Sequence, residues 1–246
     1  MRSAADEPDL PVPPATDRAR EAAAVRDYYD DFADHYVPGW RSLQFYGPLV
    51  ADFLHRSVTP ECRVLEIGCG PGQLTRDLAP DVEVLGTDLS PAMLAEARAQ
   101  RPEGRYERHD LHDPVPGEWG RFDVVVAVGC LEFCRDLTVT VGHLAVASAP
   151  GARLLLGIVE DRAVGTRPFS EDGLPGVVMN SWTATEQLAA ITAAGLSPAS
   201  YRHVPAWRHD EYGYVVRYGL WELTRDRAER PTTVPLTATS GPPPTA

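Results

Sequence analysis

Hydrophobic residues along this chain form short continuous runs, separated by segments in which they recur every three or four positions. The continuous runs predict strands buried on both faces, at residues 64–67, 82–87, 122–127 and 154–159. The spaced segments predict amphipathic helices, at residues 17–36, 46–54, 93–97, 137–145 and 188–191. Strands that alternate with helices predict an α/β fold built on a parallel sheet.

Local signals refine these boundaries. Ser90 followed by Pro91 predicts a helix start, and Pro150–Gly151 predicts the stop of the helix before it. Thr183 and Glu186 have the spacing of a capping box. Near the C-terminus, alternating apolar residues predict a final strand with one buried face, formed by Tyr212, Tyr214, Val216 and Tyr218.

The first predicted strand ends in three glycines at alternate positions, Gly68, Gly70 and Gly72. Glycine has no Cβ, so it can adopt a positive φ and let a ligand approach the backbone. The amides at the start of a following helix would direct their partial positive charge at that ligand. We therefore expect this loop to hold a small polar molecule and a helix to begin directly after it.

Asp88 lies at the end of the second predicted strand, twenty residues after Gly68. In a βαβ unit, a carboxylate at this place can accept hydrogen bonds from both hydroxyls of a ribose. The glycine loop and Asp88 together predict a nucleoside pocket.

The spacing of the loop separates two classes of nucleoside-binding protein. A dinucleotide-binding loop has the pattern G-x-G-x-x-G, whereas this loop has G-x-G-x-G, with Glu66 before it and Gln73 after it. It resembles motif I of class I S-adenosylmethionine-dependent methyltransferases. Later segments resemble further motifs of that family in the same order, at residues 86–90, 108–111, 122–127 and 150–156. The resemblance covers about residues 60–160.

The resemblance implies a Rossmann-like, seven-stranded, mostly parallel sheet with helices on both faces, an antiparallel last strand and an N-terminal helical lid. It implies S-adenosyl-L-methionine as the cofactor. It also implies that the Asp110 carboxylate accepts from the adenine amino group and that Leu111 offers an amide to a ring nitrogen. The residues that it places at the cofactor are Tyr29, Tyr36, Glu66, Gly68, Cys69, Gly70, Gly72, Asp88, Leu89, Met93, Asp110, Leu111 and Val128.

The chain divides into a methyltransferase domain and two tails. Residues 1–17 and the Pro/Thr-rich residues 230–246 lack apolar periodicity and are expected to be disordered, which leaves residues 18–229 for the domain. Within the domain, residues 18–57 are expected to form the helical lid. Residues 160–182 have no clear period and are expected to form a cap over the substrate.

Charge and cysteine content narrow the class of partner. A formal net charge of −12, with 35 acidic and 23 basic residues, opposes binding to nucleic acid or to an anionic membrane surface. A small-molecule substrate and a monomer or homodimer are expected. The four cysteines lack a paired motif, and the first residues do not resemble a secretion signal, so we expect a cytoplasmic protein with reduced thiols and no metal.

The methyl group of the cofactor is already activated, so transfer requires no universal catalytic residue. A hydroxyl acceptor would benefit from a base, and the candidates are His35, His112, His203 and His209, with His143 weaker. Many relatives carry a histidine after Leu-Glu in the segment that follows the fourth strand, whereas this chain has Phe133 there. In the cap, Arg162 and Arg167 could clamp a carboxylate or phosphate of the substrate, and Trp182 is a further substrate-binding candidate.

The function expected from these observations is methyl transfer to a small-molecule acceptor, in secondary metabolism. One alternative is a protein of the same fold that binds the cofactor but acts as a cyclase or decarboxylase, or as a binding module. Another is a nicotinamide-binding protein, against which the Gln73 spacing and the second carboxylate at Asp110 count.

Overall fold

This computed structural model describes residues 18–36, 43–160, 167–168, 178–208 and 215–226. Its α-helices are α1 (Arg18–Tyr36), α2 (Leu43–Ser57), α3 (Pro91–Gln100), α4 (Leu137–Ala147) and α5 (Ala184–Ala193). Its strands are β1 (Arg63–Ile67), β2 (Glu83–Asp88), β3 (Arg105–Arg108), β4 (Phe122–Val128), β5 (Ser148–Val159), β6 (Arg167–Pro168), β7 (Val178–Met179), β8 (Leu196–Arg208) and β9 (Val215–Arg225). Two 3₁₀ turns lie at Gly117–Trp119 and Leu131–Phe133. The predicted tails and most of the predicted cap lie outside the described residues.

The described strands form a seven-stranded sheet in the order β3-β2-β1-β4-β5-β9-β8. The pairs from β3 to β5 are parallel, and β9 is antiparallel to both β5 and β8. The predicted fold class, including the antiparallel last strand, is confirmed. The two-residue strands β6 and β7 pair with each other in a separate sheet. In the part of the chain that the structure describes, no helix is long and apolar enough to cross a membrane.

The strand order places the candidate site. Strand β1 lies between β2 and β4. The chain adds β2 and β3 on one side of β1 and then β4 and β5 on the other, so the strand order reverses at β1. In an open α/β sheet, ligands bind in the crevice outside the carboxyl ends of the strands at such a reversal. Here that crevice lies beyond Ile67, Asp88 and Val128, the last residues of β1, β2 and β4.

The core lies on both faces of the sheet, as the continuous apolar runs predicted. On one face, Val64 of β1 packs in a cluster with Phe53 of α2. On the other face, the next residue, Leu65, packs in a cluster with Val141 of α4. Successive side chains of a strand point to opposite faces, so a strand covered on both sides needs apolar residues at every position.

Two predicted helix starts are confirmed. The Ser90 hydroxyl accepts a hydrogen bond of 3.0 Å from the Met93 amide, and Pro91 occupies the first helical turn of α3. Thr183 and Glu186 form the predicted capping box at α5. Each side chain satisfies a backbone amide that the helix leaves free.

The predicted boundary between α4 and β5 is wrong. Helix α4 ends at Ala147 and β5 begins at Ser148, so Pro150–Gly151 lies inside the strand and not at the end of the helix. The register with β4 shifts between Phe122 and Val124, and Gly151 has φ +84°. The Pro-Gly pair therefore forms an irregularity in the strand, where proline loses no regular ladder bond and glycine accepts the positive φ.

The helix expected directly after the glycine loop is also not present. Residues 70–77 form successive turns, in which the Gly72 amide bonds to Cys69 O and the Arg76 amide to Gly72 O. Pro71 donates no hydrogen bond, and Pro80 ends the segment a few residues later. The backbone bonds of this segment mix i→i−3 and i→i−4 spacings, so they do not form the continuous i→i−4 ladder of an α-helix.

A buried arginine fixes the connection that leads into β2. Arg101, which caps the end of α3, is 1% exposed. Its guanidinium donates hydrogen bonds to the carbonyl oxygens of Leu78 at 2.5 Å, Ala79 at 2.9 Å and Val82 at 3.1 Å. The charge is thus surrounded by backbone dipoles, with one ion pair to Glu103 at 3.3 Å.

Strand β8 is an edge of the sheet and is irregular along its length. Its register against β9 shifts between Pro198 and Ser200 and again between Pro205 and Trp207. Both shifts occur at prolines, which have no amide hydrogen to donate.

Candidate cofactor and acceptor site

A cleft of about 800 Å³, partly open to solvent, lies at the carboxyl ends of β1, β2 and β4 and beneath α1. Its lining residues that the sequence predicted at the cofactor are Tyr29, Tyr36, Gly68, Gly70, Asp88, Leu89, Met93 and Leu111. The remaining lining residues are Arg18, Glu21, Ala22, Val25, Ile67, His109, His112, Gly129, Cys130 and Phe133.

The glycines of the loop have different environments. Gly68 and Gly70 line the cleft and have φ of +62° and +50°. A Cβ built on Gly68 would lie 2.3 Å from Cβ of Cys130, so this glycine allows the ends of β1 and β4 to pack. A Cβ on Gly70 would meet only Tyr36, at 4.0 Å, and would otherwise enter open space. A Cβ on Gly68 would therefore meet Cys130 before any ligand, while its positive φ agrees with the expected need for glycine at this position.

Asp88 is held at the rim of the loop by backbone amides. Its Oδ2 accepts a hydrogen bond of 2.9 Å from the Gly70 amide, and its Oδ1 accepts one of 2.9 Å from the Ser90 amide. Burial raises the pKa of Asp88, and these amides oppose that shift. The carboxylate therefore has a fixed orientation and retains lone pairs for a ligand.

Five predicted cofactor residues do not line the cleft, and four of them pack beneath or behind it. Glu66 is buried beneath the loop, where Oε2 accepts from the Thr75 hydroxyl at 2.6 Å and burial raises its pKa to about 7. Cys69 packs in a cluster with Leu94, Ala97 and Tyr106. Gly72 faces Ala97, and Val128 belongs to the core cluster on the α2 face. These residues shape the loop and its support from behind.

Asp110 is paired with other side chains and is likewise absent from the cleft lining. Its Oδ1 lies 2.7 Å from Nδ1 of His112 and accepts from the His112 amide, and its Oδ2 accepts from Arg18 at 3.2 Å. Burial alone would raise the pKa of Asp110, but hydrogen bonds from His112 and Arg18 hold it well below its ordinary value. The predicted contact between Asp110 and adenine remains a prediction.

Helix α1 forms one wall of the cleft. Tyr29 and Tyr36 approach edge to face with 6.3 Å between ring centroids, and Tyr29 contacts Phe133 in the same way at 6.1 Å. Burial raises the pKa of both tyrosines, so both phenols are neutral near pH 7. Arg18 at the start of α1 pairs with Asp110 and Asp113.

A second set of contacts fastens α1 to the other walls. The Asp30 carboxylate accepts from the Ser90 hydroxyl and from the Ala92 amide at 3.1 Å. Glu21 accepts from Nε of Arg135 at 2.6 Å. Helix α1 is thus tied to the start of α3 and to the segment that follows β4.

Of the candidate bases, only His112 lines the cleft within the described residues. Both of its ring nitrogens have partners, since Nε2 accepts from the Arg135 amide at 3.3 Å and Nδ1 bonds to Asp110. His35 is exposed and stacks on Phe32, and His203 is exposed on β8. His209 lies outside the described residues.

The candidate substrate residues lie largely outside the described part of the chain. Arg162 is not described, and only the backbone of Arg167 is, in β6. The Trp182 side chain packs against the core cluster on the α4 face and does not line the cleft.

His109 lines the cleft although the sequence interpretation did not select it. It follows β3, and its Nε2 is buried without a hydrogen-bond partner among the described residues. Burial lowers the pKa of His109, so the ring is neutral near pH 7. Its position immediately before Asp110, at the carboxyl end of a strand, was the signal available in the sequence.

Comparisons with known proteins agree with this geometry. Residues 65–154 match a family model described as a methyltransferase domain. A trans-aconitate 2-methyltransferase from Methylobacterium nodulans is 30% identical over 207 residues, which cover 76% of each chain. A trans-aconitate 2-methyltransferase from Variovorax paradoxus is 36% identical over 115 residues, 45% of this chain and 44% of that protein.

A solved structure shares the fold. It is the Burkholderia thailandensis 1,6-didemethyltoxoflavin-N1-methyltransferase with bound 1,6-didemethyltoxoflavin and S-adenosylhomocysteine, at a TM-score of 0.65 and 18% identity. The match covers 89% of this chain and 93% of that one. The chain therefore belongs to the family of S-adenosylmethionine-dependent methyltransferases. The family depends on S-adenosylmethionine, and methyl transfer is the reaction for which the matched family model and these relatives are named.

Proposed function

We propose that the cleft binds S-adenosylmethionine along the ends of β2, β1 and β4, and that a small-molecule acceptor meets the methyl group near the turn Leu131–Phe133. The observation that carries this proposal is the Asp88 carboxylate, which the amides of Gly70 and Ser90 hold at the cleft wall. A carboxylate fixed in this way suits the two hydroxyls of a ribose.

The other cleft residues fit the rest of the cofactor. Leu89, Met93 and Leu111 offer apolar side chains beside Asp88, which suit the faces of adenine. On the other side of Asp88, a Cβ on Gly70 would occupy open space, so the missing side chain leaves room for the methionine portion. These residues would hold the cofactor with its adenine toward β3 and its sulfur toward β4.

The bound cofactor supplies an activated methyl group, and the chain supplies position and the exclusion of water. Tyr29 and Phe133 contact each other across the cleft, at 6.1 Å between ring centroids. Tyr36 lies beside Tyr29. This aromatic wall would remove solvent from the region where the acceptor is attacked, and it carries no charge near pH 7.

The identity of the acceptor is open to a direct test. Relatives carry the names trans-aconitate 2-methyltransferase and ubiquinone biosynthesis O-methyltransferase, so carboxylate and hydroxyl acceptors both belong in a screen. We propose that Arg162 and Arg167 contact a distal part of the acceptor, and we do not include Trp182, whose side chain packs against the core. For the arginines this rests on the ability of guanidinium groups to bind carboxylate or phosphate with paired hydrogen bonds.

The decisive experiment incubates the protein with S-adenosylmethionine and a panel of small molecules that includes trans-aconitate. Formation of S-adenosylhomocysteine together with an acceptor product heavier by one CH₂ unit would support the proposal. Conversion of an acceptor while S-adenosylmethionine stays intact would instead identify a cyclase or decarboxylase of the same fold. Failure to bind S-adenosylhomocysteine would contradict the proposed site.

We further propose a biosynthetic role in secondary metabolism, a cytoplasmic location, and a monomer or homodimer without a nucleic-acid or membrane partner. The four cysteines are free thiols, which supports a reducing compartment. The net charge of −12 supports a partner other than nucleic acid or an anionic membrane surface.

A further inference from the structure

The turn Leu131–Phe133 carries a buried carboxyl group, that of Glu132, which is 5% exposed. Its Oε1 accepts a hydrogen bond of 3.1 Å from the Tyr218 hydroxyl. Its Oε2 is buried with no partner among the described residues, and no described cation forms an ion pair with it. A buried carboxyl oxygen without a hydrogen-bond partner lowers the stability of the fold. Such an atom is therefore a candidate for a functional role.

Glu132 is not itself a lining residue of the cleft, but it lies within a turn whose neighbouring residues are. Cys130 and Phe133, which flank the Leu131–Glu132 pair, both line the cleft. A Cβ on Gly129 would lie 3.4 Å from the Tyr46 hydroxyl and 3.9 Å from that of Tyr218, so both hydroxyls lie directly behind this cleft residue. Asp88 ends β2 and Glu132 follows β4, with β1 between these strands. The two carboxyl groups therefore lie on opposite sides of the glycine loop.

The backbone of the turn is fixed, which keeps the carboxyl group in place. The Glu132 carbonyl accepts a hydrogen bond of 2.7 Å from the Asn180 amide, and the Asn180 side chain donates to the Cys134 carbonyl at 2.9 Å. The segment after β7 therefore holds the turn from outside. A group that must transfer a proton needs this kind of support.

We propose that Glu132 accepts the proton of the methyl acceptor, and that the acceptor group is a hydroxyl or an amine rather than a carboxylate. This assignment rests on the proposed function, because it needs an acceptor at the end of β4. The acceptor would donate to Oε2 the hydrogen bond that this atom lacks.

The step balances as follows. The acceptor oxygen or nitrogen forms a bond to the methyl carbon, while the bond from that carbon to sulfur breaks and leaves its electron pair on sulfur. The acceptor's proton moves to Oε2 of Glu132, which changes from carboxylate to carboxylic acid. Glu132 returns this proton to solvent before the next turnover.

The charges of the cleft oppose a carboxylate as the methyl acceptor. Such an acceptor has no proton to give and would meet the Glu132 carboxyl group directly. Among the described lining residues, the arginine is Arg18, which is already paired with Asp110 and Asp113. Nearby, Arg135 is paired with Glu21. An anionic group elsewhere on the same substrate remains compatible with the proposed arginines of the cap.

The surroundings of Glu132 suit proton transfer near neutral pH. Burial raises the pKa of Glu132 to about 7, while the hydrogen bond from Tyr218 opposes the shift. Glu160 at the end of β5 is engaged by the Tyr201 hydroxyl. The titratable groups around Glu132 come from four elements. They are Tyr29 and Tyr36 on α1, Tyr46 on α2, Cys130 and Cys134 beside Glu132 in the loop after β4, and Tyr218 on β9. Burial raises the pKa of Tyr218, Cys130 and Cys134, so these groups stay protonated where Glu132 titrates.

The test compares Glu132→Gln and Tyr218→Phe with Glu118→Gln, which replaces an exposed carboxyl group on the turn Gly117–Trp119. Infrared spectra of each protein, recorded without acceptor across the pH range, contain the bands of the buried carboxyl groups of Glu66 and Glu132, and subtracting the spectrum of Glu132→Gln from that of the wild type isolates the Glu132 band. Calorimetry with S-adenosylhomocysteine reports the cofactor site. Turnover is measured with a matched panel of hydroxyl, amine and carboxylate acceptors.

We expect an acid band in the wild-type protein that disappears as pH rises through about 7 and is missing from Glu132→Gln. Glu132→Gln should bind S-adenosylhomocysteine within about twofold of wild type but lose roughly 10²- to 10⁴-fold in kcat. Wild-type kcat should rise with pH to a plateau as Glu132 ionises, and Tyr218→Phe should move that rise to higher pH. Glu118→Gln should match wild type in every measurement.

Two results would overturn the assignment while leaving the proposed function standing. One is unchanged kcat and an unchanged pH profile in folded Glu132→Gln, and the other is methylation of the carboxylate member of the panel in preference to the others. Loss of S-adenosylhomocysteine binding in Glu132→Gln would assign the residue to the cofactor site instead. If the wild-type protein itself does not bind S-adenosylhomocysteine, the proposed function is what fails, and this assignment fails with it.

Discussion

The amide of Gly70 donates a hydrogen bond of 2.9 Å to Oδ2 of Asp88, and this bond joins the loop after β1 to the end of β2. Two segments that are eighteen residues apart in sequence thereby act as one wall of the cleft. The bond sets the direction of the carboxylate before any ligand arrives. A carboxylate that is already oriented loses less conformational freedom when a ligand binds than a mobile carboxylate does.

Replacing Asp88 should lower the affinity for the cofactor while the variant stays folded. Hydrogen bonds to a charged group contribute roughly 1.5 to 3 kcal/mol each, so Asp88→Ala should lower the affinity for S-adenosylhomocysteine at least tenfold. Calorimetry measures this effect, with Asp77→Ala on the exposed turn as the control. Unchanged affinity in a folded Asp88→Ala protein would show that Asp88 does not contact the ribose.

Gly68 and Gly70 should respond differently to an added side chain. Both have a positive φ, which costs about 1 kcal/mol or more for an L-residue. A Cβ on Gly68 would lie 2.3 Å from Cβ of Cys130, so Gly68→Ala should lower the melting temperature markedly. A Cβ on Gly70 projects into the cleft, so Gly70→Val should keep the fold and abolish binding of S-adenosylhomocysteine.

Thermal unfolding and calorimetry on the two glycine variants separate these effects. Tight binding by Gly70→Val would place the methionine portion of the cofactor elsewhere. A fully stable Gly68→Ala protein would show that the contact between the ends of β1 and β4 relaxes without cost.

Asp110 should make stability depend on pH in the acid range. Its folded-state pKa lies below the unfolded value of about 3.9, so its ionisation stabilises the fold above that pH, and this contribution is lost as pH falls through the folded-state value. The difference in unfolding free energy between wild type and Asp110→Asn should therefore be constant near neutral pH and shrink below about pH 4. Urea titrations at several pH values measure it, and a difference that does not change with pH would mean that Asp110 is not stabilised by its partners.

The same variant also tests the adenine contact. Asparagine keeps the shape of the side chain but loses the charge and one acceptor, so Asp110→Asn should reduce the affinity for S-adenosylhomocysteine less than Asp88→Ala does. Affinity that is unaltered by Asp110→Asn would contradict the predicted contact between Asp110 and adenine.

Arg101→Met should strongly destabilise the protein. The substitution removes the guanidinium from the part-buried carbonyl oxygens of Leu78 and Ala79 and from the buried one of Val82. A buried group left without its partner costs about 1 to 3 kcal/mol. The total loss should exceed about 3 kcal/mol in a chemical unfolding experiment. Arg76→Met, which removes an exposed arginine paired with Asp77, is the control and should change stability by less than about 1 kcal/mol.

A stability of Arg101→Met equal to that of the control would mean that water replaces the guanidinium at these carbonyls. The connection into β2 would then not depend on Arg101. Cofactor affinity in the same variant would report whether a change in that connection alters the position of Asp88 at the other end of β2.

The sheet and the main features of the cleft could be predicted because both follow from local sequence. Continuous apolar runs define strands that are covered on both faces, and the position of Asp88 at the end of one run predicts its place in the cleft wall. The loop pattern also locates Gly68 and Gly70. What the pattern does not contain is the direction of each neighbouring side chain, which is why Cys69, Gly72 and Val128 lie behind the cleft and not in it.

Contacts between distant segments could not be predicted from one sequence. Arg18 and Asp110 are 92 positions apart, and no periodicity links them. Arg101 follows a helix, where an arginine is ordinarily a solvated end residue, and only the return of residues 78–82 buries it. Pro150–Gly151 is a normal helix stop by local rules, and its place in β5 depends on the pairing with β4.

The two proline irregularities of β8 affect how this molecule can assemble. An edge strand with free backbone groups is a template onto which another chain can add a strand and extend the sheet. Pro198 and Pro205 interrupt the regular spacing along the β8 edge, so a second copy would meet donors and acceptors that are out of step with its own. The β8 edge is thereby protected against edge-to-edge pairing with a second chain, so a shared sheet would not form through this strand.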